Sequence, residues 1–452
     1  MTAEVPPATG VPSVRAELKA LWVLAIPLAL GQAGQALMGV VDTIVLGQFS
    51  ATAQGGAGLG NSIAFTVSYF GFGVMLAIDP MVSQAIGAKD PVRARSALWV
   101  GVWLALLVSV LLTVAMIVLP FFLRDFKVEP EIADGAATYM WWRVPACLPL
   151  MLFVGTRSYL QGLGITRPMV VATVVANVAN LVLDVVLVFG VGDWPGMGIA
   201  GAAIATTSCS WLQWFMLARA LPPAPEGVDR RLSWPAIRQA LMLGTPMGLQ
   251  FIAESGVFSM VGILAGGLGT TEIAAHQVAL TCASLTFCVA VGIGNAASVR
   301  VGWGVGAKNA LAARRSGVVA LLSVTAFMAL SSLVFVVAPT PLARLMTKPP
   351  EVVLAVVSLF VVVAVFQIAD GLQAVGAGLL RGAADTRFAF WVNLVGHWAI
   401  GLPVALALKP TLGIVGLWWG LSAGLFAVAF ALVLRFMNID LLKRSLVAPS
   451  LH

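Results

Sequence analysis

Charge is scarce in this chain. Charged residues make up 10% of its 452 residues, whereas hydrophobic residues make up 60%. Soluble globular proteins carry charge on about a quarter of their residues. Together with a mean hydropathy of +0.98, this scarcity excludes a soluble globule and predicts an all-α polytopic membrane protein. The net charge of +7 does not indicate a nucleic-acid partner, because the basic residues fall in short loops between apolar runs.

Several chemical motifs are also missing. The four cysteines, Cys147, Cys209, Cys282 and Cys288, lie in apolar runs, and no CxxC pattern or cysteine–histidine cluster exists. A disulfide framework or zinc site is therefore not expected. The first twenty residues lack an apolar core with a cleavage site, so we expect no removable signal peptide. With no nucleophile–base pair, metal triad or phosphate loop, we expect no cofactor, and an integral membrane enzyme is only a remote alternative.

Twelve apolar stretches are long enough to cross a hydrocarbon core of roughly 30 Å as helices. The predicted spans are 21–48, 55–80, 97–120, 132–158, 168–190, 198–221, 237–267, 272–298, 316–340, 352–379, 388–408 and 413–436. With the amino terminus inside, the inner loops and tails carry nineteen Lys and Arg residues and the outer loops five. This bias predicts a multi-pass protein of the inner membrane with both termini in the cytoplasm.

The sequence contains an internal repeat. Four landmarks of the first half recur at an offset of 219 or 220 residues. They are Pro27 with Pro246, Gly87-Ala88-Lys89 with Gly306-Ala307-Lys308, Pro130-Glu131 with Pro350-Glu351, and residues 160–167 with 380–387. Each half holds six spans, an even number, so both halves enter the membrane from the same side. The repeat is therefore parallel, with a pseudo-twofold axis along the membrane normal.

The repeat predicts two six-helix lobes. The first comprises residues 1–221 and the second residues 237–452. The polar, proline-rich stretch 222–236 is the expected cytoplasmic linker between them. Two bundles related in this way are the layout of an alternating-access transporter, whose pathway lies between the bundles.

Four acidic residues stand almost alone inside long apolar segments. They are Asp42, Asp184, Glu254 and Asp370. A carboxylate buried in hydrocarbon costs several kcal/mol unless it is neutralised, paired or hydrated, so each marks a candidate functional site. The repeat does not duplicate these acids, because the equivalent positions hold uncharged residues. We therefore predict separate working sites for cations or protons in the two lobes.

In the first lobe, Asn180 and Asp184 are spaced i, i+4 and share a face of the fifth span, and Asn177 lies three residues earlier. Asp42 on the first span and Thr206 on the sixth complete a set of hard oxygen ligands. Such ligands suit a sodium ion or a proton relay. The alternative is that Asn and Thr hydrogen-bond neighbouring spans together.

In the second lobe, Glu254 on the seventh span and Asp370 on the tenth lie well inside apolar segments. Loss of water disfavours the charged form of a carboxyl group, whereas a bound cation favours it. Entry of a proton or sodium ion can therefore expel a cationic substrate. Gln250 and Gln367, one turn away along their helices, are candidate amide neighbours. The alternative is a neutral acid bonded to a backbone carbonyl.

Short segments along the whole chain form a recognisable set. They are Pro27, Val41-Asp42-Thr43 and Gly47, then Pro246 with Glu254, Ala274-Ala275-His276-Gln277, residues 367–373, and Leu380-Arg381-Gly382. At these spacings the chain resembles the NorM-like branch of the multidrug and toxic compound extrusion (MATE) family. The resemblance implies two six-helix lobes and antiport of organic, mainly cationic drugs against sodium ions or protons.

The same resemblance assigns residues. It implies that Glu254 and Asp370 form the cation site of the second lobe. It also implies that Asp42, Asn180, Asp184 and Thr206 match the first-lobe site, a candidate sodium site. His276 belongs to one of the matching segments, and it is either a proton carrier or a packing residue.

Two departures bear on the coupling ion. NorM-like members often carry a tyrosine four residues before the tenth-span aspartate, where this chain has Phe366, which lacks the hydroxyl ligand. Sodium-coupled relatives of this branch can carry asparagine where this chain has Asp184. Both departures favour protons over sodium ions.

The expected function is secondary active export of small, mostly cationic drugs by a monomer in contact with membrane lipid. The main alternative is a lipid-linked oligosaccharide flippase of the same wider superfamily. Such a flippase handles an anionic pyrophosphate carrier and is expected to line its cleft with Arg or Lys. Apart from Arg219, Arg238 and Arg435, which lie at the very ends of predicted spans and are counted with the inner loops, Arg143 and Arg157 are the only basic residues within the spans, and this scarcity favours the antiporter.

Overall fold

The computed structural model describes residues 10–126 and 128–446, which fold into helices and connecting turns with no β-strand. The α-helices are α1 Val14–Phe49, α2 Ala51–Met75, α3 Ile78–Gly87, α4 Pro91–Val118, α5 Pro130–Arg143, α6 Cys147–Gly162, α7 Arg167–Phe189, α8 Ile199–Arg219, α9 Trp234–Gly266, α10 Thr270–Gly306, α11 Ala310–Val337, α12 Pro339–Met346, α13 Pro350–Gly382, α14 Thr386–Leu394 and α15 Leu402–Asn438. Leu119–Phe126, Val144–Ala146 and Leu442–Arg444 are 3₁₀-helical, and Val395–Gly401 is a π-helix.

All twelve predicted spans are helical. Nine stretches of the described chain are long and apolar enough to cross a membrane. The last of them, Thr386–Asn438, contains two predicted spans, which meet at Gly413, where φ is 57° and ψ is −129°. The span predicted at 132–158 is divided by the turn Val144–Ala146 into α5 and α6, and the span predicted at 198–221 is α8.

The internal repeat extends to the backbone conformation. Lys89 and Lys308, at equivalent positions after α3 and α10, both adopt a left-handed φ, 59° and 55°. This conformation ends a helix, and lysine seldom adopts it. The next residues, Asp90 and Asn309, cap α4 and α11 by accepting a hydrogen bond from the backbone N–H three residues later, at 2.8 and 3.0 Å. The two loops therefore have the same backbone conformation and the same helix cap.

Close contacts at the ends of α3 and α10 follow the same repeat. A side chain on Gly87 would overlap the backbone carbonyl of Trp303, and a side chain on Gly306 would overlap the carbonyl of Gln84. Residues 84 and 303 are equivalent, as are 87 and 306, so the two contacts are reciprocal. Reciprocity is the signature of a twofold axis.

A second pair of contacts obeys the same offset. Gly73 on α2 lies against the backbone of Gly248 on α9, and Gly292 on α10 lies against the backbone and side chain of Ala29 on α1. In each case glycine permits a close approach of two helices. The glycine of α2 that packs on α9 is therefore equivalent to the glycine of α10 that packs on α1.

The described residues group into two compact units, which we call the carboxyl unit and the amino unit. The carboxyl unit contains the chain through Leu30, residues 83–89 and the chain from Leu249, and its core is built from α9, α10, α13 and α15. The amino unit contains Gly31–Val82 and Asp90–Gly248. Because these units are defined by contacts and the lobes by the repeat, the lobe boundaries 1–221 and 237–452 with the linker 222–236 stay a prediction.

Candidate cation sites in the two units

In the amino unit, Asp42 on α1 and Asp184 on α7 are buried, and their carboxyl groups are close enough to interact electrostatically. Oγ1 of Thr206 on α8 lies 2.9 Å from Oδ2 of Asp42 and 3.0 Å from the carbonyl oxygen of Ala202. The hydroxyl can donate to either acceptor. When it donates to Ala202, its oxygen can accept a proton from a neutral Asp42, so the geometry fits both protonation states.

Asn180 lies one turn before Asp184 on α7, and both side chains are fully buried. Within the described residues, neither amide atom of Asn180 has a hydrogen-bond partner, and both oxygens of Asp184 and Oδ1 of Asp42 have none beyond the carboxyl group of the other acid. Buried polar groups are normally hydrogen-bonded. The four predicted residues Asp42, Asn180, Asp184 and Thr206 thus lie together, with oxygen atoms left to bind a proton or a small cation.

Tyr139 on α5 adds to this pocket and was missed by sequence reasoning. Its hydroxyl accepts a hydrogen bond from Arg143 at 3.3 Å and donates one to Asn61 at 3.3 Å. It also interacts with Asp42 and Asp184. The available signal was compositional, since the chain has three tyrosines and this one lies in a predicted span, four residues before an arginine.

Asn177, the fifth predicted residue of this site, has a structural role. Its amide nitrogen donates to the carbonyl oxygens of Gly34 on α1, at 3.0 Å, and Thr173 on α7, at 2.8 Å. These bonds hold α1 against α7. The amide nitrogen of Asn177 thus bonds neighbouring spans together, whereas its Oδ1 is buried without a partner among the described residues, and its part in ion binding stays a prediction.

In the carboxyl unit, Glu254 on α9 and Asp370 on α13 form a second pair of interacting carboxyl groups. Asp370 is buried and Glu254 is partly buried. Across the part of the chain that the structure describes, neither acid forms an ion pair with Lys or Arg. The pair therefore carries uncompensated negative charge whenever both groups are ionised.

An amide pair lies beside these acids. Gln373, one turn after Asp370, is next to Glu254. Its Nε2 donates to Oδ1 of Asn393 on α14 at 2.7 Å, and Nδ2 of Asn393 donates to the carbonyl of Ala389 at 2.9 Å. Gln373 lies within the matching segment 367–373, but its hydrogen bond to Asn393 could not be inferred from the sequence, because hydropathy does not reveal which helices are neighbours.

The two amides predicted beside the acids are placed differently. Gln250 is buried one turn before Glu254. Oε1 of Gln367 accepts hydrogen bonds from Thr286 at 2.7 Å and Ser331 at 2.8 Å, so this group links α10, α11 and α13. The side-chain oxygen of Gln367 is thus used to hold neighbouring helices together.

His276 borders a groove between α9 and α10. The groove has a volume of about 470 Å³ and is lined in part by Ser255, Phe258 and Gln277. The imidazole of His276 is buried and packs edge to face against Trp418, with ring centroids 5.7 Å apart. Neither Glu254 nor Asp370 lines the groove, but Phe258, which does, lies one turn after Glu254 on the same face of α9.

Phe366, where a tyrosine hydroxyl could have been a ligand, lies in an apolar environment. It is fully buried, with its ring centroid 6.2 Å from Phe258 and 5.1 Å from Trp418. One turn before Asp370, the structure therefore offers an aromatic wall rather than a hydroxyl ligand.

One basic residue was misplaced by sequence analysis. Arg300, counted there in an inner loop, lies within α10 and is buried. It forms an ion pair with Glu17 on α1 and lies over the ring of Trp303. The predicted span ended too early because a paired arginine reads in sequence as a loop charge.

A metal centre of the usual kind is not formed by the described residues, which contain no group of three or more His, Cys, Asp and Glu side chains suited to a metal ion. The donors of the amino unit are two carboxylates, an amide and a hydroxyl. All of these donors are oxygen atoms, charged in the carboxylates and neutral in the amide and hydroxyl, and such hard ligands suit a sodium ion. The sodium site remains a prediction.

Comparisons with known proteins come from sequence and from structure. A family model described as MatE matches residues 27–186 and, a second time, residues 246–407. The chain is 35% identical to the probable multidrug resistance protein NorM of Bradyrhizobium diazoefficiens, over 91% of each protein. It is 36% identical to the multidrug resistance protein NorM of Burkholderia vietnamiensis, over 91% of this chain and 92% of that one.

Solved structures match the fold. The eukaryotic MATE transporter AtDTX14 superposes with a TM-score of 0.86 at 22% identity, covering 96% of this chain and 98% of that one. A mutant of the Vibrio cholerae MATE transporter VcmN gives 0.86 at 21% identity, covering 95% and 99%. These likenesses confirm the predicted twelve-helix fold in two lobes. With one family model matching both halves of the repeat and NorM proteins matching nine-tenths of its length, the chain belongs to the MatE family.

Proposed function

We propose that this protein is a secondary active multidrug efflux antiporter of the inner membrane. It exports organic, mainly cationic compounds in exchange for protons or sodium ions by alternating access. The observation that carries the proposal is the pair Glu254 and Asp370, whose carboxyl groups interact inside the helices of a multi-pass membrane protein. The names of relatives that are 35% and 36% identical, multidrug resistance proteins NorM, support it.

Exchange follows from the electrostatics of the acid pair. When Glu254 and Asp370 are both ionised, they repel each other in a poorly solvated site and attract a cation. When one of them takes up a proton, the attraction falls and the cation is released. A proton and a cationic substrate thus compete for the same negative charge, and this competition is what antiport requires.

The groove between α9 and α10 suits an organic substrate. Its volume of about 470 Å³ lies within the range of roughly 300–1,000 Å³ typical of small-molecule pockets. Phe258 offers an aromatic face to a hydrophobic cation, and Glu254 lies one turn earlier on α9. Affinity would then come from apolar contact, and charge selection from the carboxylate.

The amino unit supplies a second site for the coupling ion. Thr206 accommodates a charged or a neutral Asp42, and this supports a proton at the site. The oxygens of Asp184 and Asn180 support a small cation there equally well. Phe366 removes a hydroxyl ligand from the neighbourhood of Asp370 and favours protons in the carboxyl unit. We further propose a monomer, with lipid around it and no cofactor.

The flippase alternative is less well supported. A pyrophosphate carrier needs free basic groups, yet Arg300 is neutralised by Glu17 and Arg143 is bonded to Tyr139. Neither of these arginines is placed to meet an anionic substrate without losing a partner.

The proposal is tested in liposomes. Export of a fluorescent cation is measured under an imposed pH gradient and, separately, under a sodium gradient. We expect Glu254→Gln and Asp370→Asn to lose export under the gradient that drives the wild type, and Asp42→Asn to be impaired. Asp440→Asn is the control, because Asp440 is an exposed carboxylate, half-accessible in its pair with Lys443. Wild-type rates in all three site variants, or no export by the wild type under either gradient, would refute antiport.

A further inference from the structure

A short π-helix interrupts the chain beside the Glu254–Asp370 pair. In Val395–Gly401 the N–H of Leu402 donates to the carbonyl of His397, five residues earlier. Pro403 follows in the first turn of α15 and cannot donate a backbone hydrogen bond to Ala399. Single π-helical turns inside α-helices are rare and frequent at functional sites. The residue that this turn contributes to the interior is His397.

His397 is buried without a hydrogen-bond partner. Its side chain is 1% exposed, and among the described residues neither Nδ1 nor Nε2 is bonded. An imidazole has at least one donor and one acceptor to satisfy, and an unpaired buried polar group costs about 1–3 kcal/mol. A packing residue at this position need not be polar, so the two free nitrogens require another explanation.

The π-helix is fixed against the helix that carries Glu254. Nε1 of Trp398 donates to the carbonyl of Ala253 at 3.0 Å. The ring of His397 lies 6.4 Å from that of Phe258, which is one turn after Glu254 on the same face of α9. His397 is therefore held at the level of the acid pair by two contacts to α9.

A row of buried amides connects the acids to His397. Gln373, next to Glu254, is bonded to Asn393, and Asn393 lies four residues before His397 on the same helix. Oε1 of Gln373 is buried and has no partner in the described chain. Gln373 Oε1 and the two imidazole nitrogens are the kind of polar partners that an internal water molecule requires.

The charged surroundings of His397 are simple. The acids nearest to it along the packed elements are Glu254 on α9, which is next to Gln373, and Asp370 on α13, one turn before Gln373. The other charged residues of the packed helices α14 and α15, Arg387 and Lys409, lie ten or more residues from His397, about 15 Å or more along the helix axis. Glu254 and Asp370 are therefore the acids that could exchange a proton with His397.

We propose that His397 is a second proton-binding group of the carboxyl-unit site, connected to Glu254 and Asp370 through water held by Gln373. When a carboxylic acid of the pair loses its proton, the proton passes through water to an imidazole nitrogen. The carboxyl becomes a carboxylate, the imidazole becomes an imidazolium, and the net charge of the site is unchanged. This inference rests on the proposed antiport and assigns it a positioning residue for the proton.

The first test needs no transport. The chain has three histidines, so ¹⁵N-histidine NMR of the substrate-free protein in lipid nanodiscs can follow each ring. His452, outside the described residues, is removed by His452→Gln, and the signals are assigned with His276→Gln and His397→Gln. We expect the His397 ring to change protonation or tautomer with pH, and this change to alter in Asp370→Asn and Glu254→Gln. His276, buried against Trp418, is the comparison ring, and we expect its signals to change less than those of His397 in those variants.

The second test measures export in liposomes under a pH gradient. His397→Gln keeps hydrogen-bonding capacity but cannot carry a proton, so we expect at least about a tenfold loss of proton-driven export and a changed pH profile. Asp440→Asn, which changes an exposed carboxylate paired with Lys443, keeps the wild-type profile. A His397 ring that does not respond to pH or to the acid substitutions overturns the inference and leaves antiport standing. A responsive ring in a protein that exports nothing supports the inference about protonation and refutes the proposed function.

Discussion

At the scale of single residues, the hydroxyl of Thr206 is the most informative contact of the amino-unit site. It lies within hydrogen-bonding distance of Asp42 and of a backbone carbonyl that can only accept. Asp42 can therefore change its protonation state without a rearrangement of its neighbour. A group that must gain and lose a proton in each cycle benefits from such a partner, because Oδ2 of Asp42 and the Thr206 hydroxyl can stay paired in either state.

Thr206→Val and Thr206→Ser separate this hydroxyl from the volume of the side chain. We expect Thr206→Val to lower ion-driven export about tenfold or more, because a hydrogen bond to a charged group contributes about 1.5–3 kcal/mol. Thr206→Ser retains the hydroxyl and should stay within about threefold of the wild type. Initial export rates in liposomes give the comparison, and equal rates for the two variants would show that the hydroxyl has no part in coupling.

Gln373→Leu tests the amide pair by its stability alone. The change leaves Oδ1 of Asn393 buried without its donor, so we expect the free energy of unfolding to fall by about 1–3 kcal/mol. The double variant Gln373→Leu with Asn393→Leu removes both partners and should recover much of the loss. Thermal unfolding in detergent measures both, and strictly additive losses would mean that the bond is not the cause.

Residue patterns gave part of these sites in advance. The sequence predicts that Asp42 and Thr206 share a pocket because carboxyl and hydroxyl oxygens suit one cation or proton site, and because the family resemblance matches both residues to that site. Gln373 was not linked to Asn393, nor Glu17 to Arg300. These pairings depend on which helices are neighbours in space, and hydropathy along the chain does not contain that information.

At the scale of helices, glycines decide how closely α14 and the π-helix approach α15. A side chain on Gly396 would overlap that of Val428 and reach within 3.1 Å of the carbonyl oxygen of Gly424. Gly424 in turn faces the backbone of Gly401 at the end of the π-helix. The turn that positions His397 is thus seated against a surface of α15 that has no room for side chains.

Gly396→Ala should therefore destabilise the fold by about 1–3 kcal/mol, as overpacking in a core does. Val428→Ala opens space for the added methyl group and should restore part of the loss. Gly39→Ala on α1 is the matched control, because nothing lies within 4 Å of the new Cβ. There, alanine in a helix should be neutral or stabilising by up to about 1 kcal/mol. Differential scanning calorimetry compares the unfolding of the wild type, Gly396→Ala, Gly396→Ala with Val428→Ala, and Gly39→Ala. Equal changes in stability for Gly396→Ala and Gly39→Ala would contradict the packing argument.

The presence of the helices was predictable where apolar runs are long, since a membrane span has a minimum length, but helix ends reach up to eight residues beyond the predicted spans, as at Gly306 of α10. The interruptions of the helices were not predictable. The break at Val144–Ala146 and the π-helix at Val395–Gly401 both lie inside apolar runs. Pro145 and Pro403 mark them in the sequence, but a proline alone does not say whether a helix will kink, tighten or widen.

At the scale of the whole molecule, the first part of α1 is tied to α10 by a buried ion pair. Glu17 and Arg300 are 1% and 2% exposed, although 283 residues separate them in the chain. The same region of the chain is held by Asn309, which donates to the carbonyl of Gly10 at 2.8 Å, and by Arg315, which donates to the carbonyl of Pro12. The start of the described chain is therefore fixed by charge and hydrogen bonds as well as by apolar packing.

A double-mutant cycle measures that ion pair. Glu17→Gln or Arg300→Gln leaves one buried charge without its partner, and each should cost about 3–5 kcal/mol of unfolding free energy. Replacing both by methionine should cost much less, because no charge remains buried. The exposed pair Asp440–Lys443, at 3.6 Å, is the control, and its loss should cost below about 1 kcal/mol. Singles no more damaging than Asp440→Asn would show that water reaches the Glu17–Arg300 pair.

The reciprocal contacts at Gly87 and Gly306 have a consequence for the origin of the chain. In a symmetric homodimer, if residue i of the first copy contacts residue j of the second, then residue j of the first copy contacts residue i of the second. Such an interface is called isologous. Gly87 against Trp303 and Gly306 against Gln84 satisfy this condition within one polypeptide. The seam thus has the geometry of a dimer interface between two copies of a half-length ancestor, made permanent by fusion. The four acids break that symmetry, because their equivalent positions in the other half are uncharged.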